Sequence, residues 1–132
     1  MTERKDFINN LSKEIYQANK AKGFWEDREN IPHMMEELDG YFSKDKIEAV
    51  QKAFIAQMLA LINSEISEAL ESDRKDLMDD KLPHRLGLEV ELADAFIRIC
   101  DMAGGLSMDL GGAVEEKLAY NTTRPYKHNK QF

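Results

Sequence analysis

A chain of 132 residues that is 42% hydrophobic and 33% charged is most simply one globular domain with a modest core, for which association between copies is expected. Its net charge of −7 argues against a nucleic-acid polymer as partner, because a duplex needs Lys and Arg against its phosphates. It does not argue against a nucleotide, since bound cations reverse a local field. The single Cys100 excludes an intramolecular disulfide framework and reads as a buried structural thiol. No N-terminal apolar region and no long apolar span appear, so neither secretion nor a membrane is expected and the location is taken as cytoplasmic.

The first helix is expected over residues 6–22, where Phe7, Ile8, Leu11, Ile15 and Ala18 make one stripe. Gly23 can end it in a left-handed conformation. Residues 23–33 read as a loop holding the only Trp. Two roles stay open there: Phe24 and Trp25 plug the end of a helix bundle, or Trp25 or a neighbour stacks on a nucleobase. A short helix is expected over residues 34–42. Ser43 is then a plausible N-cap for a long helix from Lys44 to about Asp73.

Along that helix Ile47, Phe54 and Leu61 recur every seven residues, and Gln51 and Met58 form a second row. The first row extends to Glu68 and the second to Glu65. Both carboxylates are therefore expected on the inward face, where an ionised group needs a cation or a partner. Residues 74–85 are an acidic linker with Asp76, Asp79, Asp80 and Pro83, read as a solvated connection or a mobile flap. Residues 86–103 form the third main helix, apolar over most of its circumference and expected to be largely buried. One strip of it is polar: Glu91, Asp94, Arg98 and Asp101. Gly104-Gly105 ends this helix, and Ser107 or Asp109 caps the next, which runs to about Asn121 and places Lys117, Asn121 and Arg124 along one edge and its exit. Pro125 stops it, and the basic residues beyond form a partly ordered tail over 124–132. No segment alternates with period two, so the fold class is all-α: a bundle of four to five helices in a single domain over residues 1–132.

Glu65 and Glu68, and Glu91 and Asp94, stand three residues apart, on neighbouring turns of one helix face. Oxygen-only ligands point to a hard cation, and Mg2+ is the common one for carboxylates acting with phosphates. None of His33, His84 and His128 stands at the Glu-x-x-His spacing of di-iron bundles. Zinc is disfavoured for the same lack of His and Cys ligands. No Walker loop, dinucleotide fingerprint or nucleophile elbow is present.

These residues resemble the MazG-like, all-alpha nucleoside triphosphate pyrophosphohydrolases. The resemblance is carried by Glu65-Ile66-Ser67-Glu68, by Glu91-Leu92-Ala93-Asp94, and by Lys117, Asn121 and Arg124 in the order of the family's Lys-x-x-x-Asn-x-x-Arg ending. Ser64 departs from the pattern, where many relatives have another Glu. The resemblance implies Mg2+-dependent hydrolysis of a (deoxy)nucleoside triphosphate to the monophosphate and pyrophosphate, with Mn2+ as a substitute ion. It implies Glu65, Glu68, Glu91 and Asp94 as metal ligands, with Glu65 or Glu68 orienting the attacking water. It also implies Lys117, Asn121 and Arg124 on the phosphates, Trp25 and the first-helix region on the base, and a homodimer or homotetramer. A different class stays open: a non-catalytic helical module that binds nucleotide or metal, or a protein-interaction module whose carboxylates form solvated salt bridges.

Overall fold

The computed structural model describes residues 2–38 and 40–125; the basic tail beyond Pro125 lies outside the described residues. Five helices follow one another: α1 (Glu3–Ala21), α2 (Glu26–Glu37), α3 (Lys44–Arg74), α4 (Gly87–Gly105) and α5 (Leu110–Thr122). The chain is an all-α bundle, and no β-strand is present among the described residues. No described helix is long and apolar enough to cross a membrane.

α4 is the centre of the bundle. α1 packs on one side of it and α3 on another, while α5 lies on α1 and α2 on α3. α3 has 31 residues and spans about 46 Å at 1.5 Å per residue, against about 28 Å for the 19 residues of α4. The long helix therefore projects beyond its partner. The buried core is small: Trp25, Met58 and Met102 form its centre, with Tyr16, Ile55, Ile62 and Leu106 packed against it. Cys100 is fully buried, as expected for a structural thiol.

Local chemistry accounts for the ends. Thr2 caps α1 through a hydrogen bond that its hydroxyl accepts from the Lys5 N–H. At the other end Gly23 adopts φ +86°, the Gly23 N–H bonds to Lys20 and the Phe24 N–H to Asn19. These are the two bonds of a Schellman motif, and the positive φ requires glycine. The motif turns the chain so that Trp25 leaves α1 over the C-terminal end of α4 and beside Met58, midway along α3.

The expected loop over residues 23–33 is mostly helix. α2 begins at Glu26, runs through Pro32 and ends at Glu37, absorbing most of that loop and only the first four residues of the short helix placed at 34–42. Pro32 cannot donate to the Arg28 carbonyl, a cost of roughly 3 kcal/mol in a helix interior. Glu26, Asp27 and Glu29 in the first turn suit the positive end of the helix dipole. Trp25 anchors the start in the core and Pro32 is itself buried.

α4 is also less covered than its composition predicts. Leu92, Phe96, Ile97 and Ile99 are exposed, because α1 and α3 supply most of the packing against the helix. Its polar strip, by contrast, turns toward α3 and the Trp25 end of α2. The linker between α3 and α4 is drawn together by a bridge between Met78 and Leu86. Within it the Asp79 carboxylate accepts from the Lys81 and Leu82 N–H groups.

Candidate metal centre

Glu65 comes from α3, and Glu91 and Asp94 from α4. One carboxylate oxygen from each lies within 4.8 Å of the others. Oxygens on opposite sides of Mg2+ are about 4.2 Å apart and around Ca2+ up to about 5 Å, so small side-chain adjustments fit these three groups to a hard divalent cation. Their chemistry agrees. Burial first, then the charges of Glu68 and Glu65, push the Glu91 carboxyl above its ordinary value. Burial and then Glu65 raise Asp94, with Arg98 pulling the other way. Ionised groups this close are mutually unfavourable until a cation joins them.

The helix period explains which glutamate faces in. Glu65 continues the Gln51–Met58 row and is only 7% exposed. Glu68 continues the Ile47–Phe54–Leu61 row, which begins buried at Ile47 and opens to solvent at Leu61. A seven-residue row drifts about 20° per heptad on a straight helix, so the first row rotates outward as the second rotates in. Glu68 is exposed and stands outside the triad, although Glu91 feels its charge.

Arg98, one turn beyond Asp94 on α4, donates from Nε to Glu65 Oε1 at 2.5 Å. Asp101, one turn further, accepts from Trp25 Nε1 at 2.9 Å. Trp25 is 3% exposed, meets Tyr16 edge-on at 5.0 Å, and lies so close over Gly105 that a Cβ there would overlap its ring. Its indole face is thus occupied by the protein. Phe24 points the other way, 64% exposed.

Phe24, Asn19, Arg28, Met58, Leu61 and Ile97 continue the site into a cleft of about 480 Å³ that Glu65, Asp94, Arg98 and Asp101 also line. One end is acidic, the wall is apolar, and Arg28 and Arg98 are its cations. The guanidinium of Arg28 is held by the Phe24 carbonyl at 2.7 Å and lies 5.5 Å from the Trp25 ring centre. Lys117, Asn121 and Arg124 are elsewhere. They lie on or just beyond α5, which packs on α1, and none of them lines the cleft. The Lys117 ammonium instead lies 4.9 Å from the Tyr120 ring centre.

Glu65, Glu91 and Asp94 were visible in the sequence as spaced carboxylates, and the polar strip flagged Arg98 and Asp101. Phe24 is visible in the sequence as the aromatic neighbour of Trp25, while Asn19 carries no signal there. Arg28 had no signal, since its helix was hidden by Pro32. No family model, curated protein or solved structure matches the chain.

Proposed function

We propose that the chain is a Mg2+-dependent pyrophosphohydrolase that converts a (deoxy)nucleoside triphosphate to the monophosphate and pyrophosphate, as its resemblance to the MazG-like enzymes implies. The observation that carries this is the triad of Glu65, Glu91 and Asp94, of which Glu65 and Asp94 line a cleft with an apolar wall. A bound Mg2+, or Mn2+ in its place, would polarise phosphate oxygens and lower the pKa of a water. Glu65, Glu91 and Asp94 would hold that ion. Glu68, exposed and near enough for Glu91 to feel its charge, would orient the attacking water. Arg28 and Arg98 offset charge on the phosphates, and Phe24, whose face is open where that of Trp25 is covered, stacks on the base.

In the same proposal the chain works as a homodimer or homotetramer. Its accessible surface is 10,043 Å², against roughly 7,100 Å² for a compact monomer of its mass. Leu59, Ile66 and Leu70 of α3 are exposed alongside Leu92, Phe96 and Ile99 of α4, and a second copy would cover them. Lys117, Asn121 and Arg124 reach phosphate in this scheme from a neighbouring copy.

The test is pyrophosphate release from a panel of ribo- and deoxyribonucleoside triphosphates with Mg2+, with Glu91→Gln and Phe24→Ala in parallel. Release that requires both metal and Glu91 is expected, with the ranking of bases flattened by Phe24→Ala. The rival, a non-catalytic helical module, has the Arg98–Glu65 ion pair in its favour. It becomes the better account if folded protein with adequate metal releases nothing from any nucleotide.

A further inference from the structure

We propose that Arg98 is a resident counter-ion, neutralising Glu65 while the carboxylates lack a metal, and that on metal binding it transfers to the phosphates of the substrate. The inference rests on the metal-centre proposal above and assigns Arg98 two successive roles within it, first as partner of Glu65 and then as a substrate-binding cation.

An ionised carboxylate as buried as Glu65, 7% exposed, must have a partner. Arg98 is that partner, at 2.5 Å. Among the described residues neither Glu91 nor Asp94 forms an ion pair, so three carboxylates share one nearby cation. The excess of negative charge is what a divalent ion would neutralise. The same Glu65 carboxylate belongs to the triad, so it serves both Arg98 and a metal, and a cation at the triad repels the guanidinium.

Arg98 has somewhere to go. Its side chain is 42% exposed where that of Glu65 is 9% exposed, so it reaches the buried carboxylate from the solvent side while lining the cleft. Arg28, the other cleft cation, is fixed by the Phe24 carbonyl and by Trp25. The cations of α5 do not line the cleft. A guanidinium released from Glu65 therefore turns into a space that a polyphosphate would enter, and its planar fork suits phosphate oxygens. The result is an order built into the site: the anion-binding group becomes available when the metal site fills.

Titration calorimetry of the full chain with Mg2+, and then with inorganic pyrophosphate at saturating Mg2+, tests this on wild type, Arg98→Gln and Arg98→Lys. Arg98→Gln is expected to bind Mg2+ about tenfold more tightly, the effect of removing one unit charge about 6 Å from a divalent ion in a water-like medium. It is expected to bind pyrophosphate about tenfold more weakly. Arg98→Lys keeps the charge and stays near wild type in both. A side chain that merely ties α4 to α3 would not move the two affinities in opposite directions. Unchanged or weaker Mg2+ binding by Arg98→Gln, or unchanged pyrophosphate binding, overturns the inference while leaving the metal centre intact. Wild type that takes up no Mg2+ removes both. Should Arg98→Gln fail to fold, the Nε–H resonance of Arg98 in wild type decides. It is expected to lose its Glu65-bonded shift as Mg2+ is added and to move again with pyrophosphate; a signal unmoved at saturating Mg2+ overturns the inference.

Discussion

α4 presents two unlike surfaces to its neighbours. Toward α1 it offers small residues: Gly104 lies against the Ser12 backbone so closely that a Cβ would overlap it, and Cys100 and Ala103 are buried nearby. The polar groups of this seam are matched. Ser12 donates to the Ile8 carbonyl at 2.9 Å. Where α5 joins, Asp109 accepts from Lys5, Asn9 and the Gly112 N–H. Toward α3 the same helix offers carboxylates, of which Glu91 and Asp94 have no paired cation among the described residues. One face is fully partnered and holds the bundle together. The other leaves charge unpaired, which destabilises the fold unless something binds. Residues on the two faces should therefore fail in different ways when changed.

The largest separation is expected at Asp94. In the pyrophosphate-release assay Asp94→Asn should lower metal-dependent turnover by about 100-fold or more, since even groups that only support a metal's ligands are commonly worth 10–100-fold. Without metal its melting temperature should hold or rise, because one of a group of neighbouring, mutually repelling carboxylates has been removed. Intact turnover with a lower melting temperature would move Asp94 from the binding face to the scaffold.

Gly104→Val should behave in the opposite way. The new side chain meets the Ser12 backbone, which cannot rotate aside, so urea unfolding should show a loss of about 3 kcal/mol. Turnover per folded molecule should be unchanged. Unaltered stability would mean that α1 can lift from α4 without cost.

The smallest effect is expected at Asp109. Its carboxyl is held down at about 2, first by Lys5, then by Asn9 and the Gly112 N–H. A folded-state pKa below the unfolded value of about 3.9 gives stabilisation that is complete above the unfolded value and lost as pH falls through the folded one. Melting temperatures of wild type should therefore fall between about pH 4 and pH 2 more steeply than those of Asp109→Asn. Identical acid limbs would remove this carboxylate from the stability of the seam.

Four of the five helices were legible in the sequence because their stripes, caps and stops agree. Ser43 stands at the N-cap position of α3, though its hydroxyl makes no capping hydrogen bond, Gly23 ends α1, and Asp109 caps α5. α2 was hidden because Pro32 is a strong local signal against a helix, and the burial of Trp25 and Pro32 that overrides it is a tertiary property. Glu65 could be placed by extending the Met58 row. Glu68 could not be separated from it by counting, because the slow rotation of a heptad row shows only over several turns. Lys117, Asn121 and Arg124 share an edge of one helix by spacing, but spacing does not say which helix that edge will meet. Trp25 and Phe24 are neighbours in sequence with opposite fates, and the Schellman turn that separates them fixes directions no composition reveals.

The indole of Trp25 has an optical consequence. It is the only one in the chain, it is shielded from water, and its N–H is committed to Asp101 on the rim of the cleft. Tyr16, 5.0 Å away and edge-on, is close enough to pass excitation to it. The protein thus carries one buried indole whose emission should report movement of the Asp101 carboxylate without any added label.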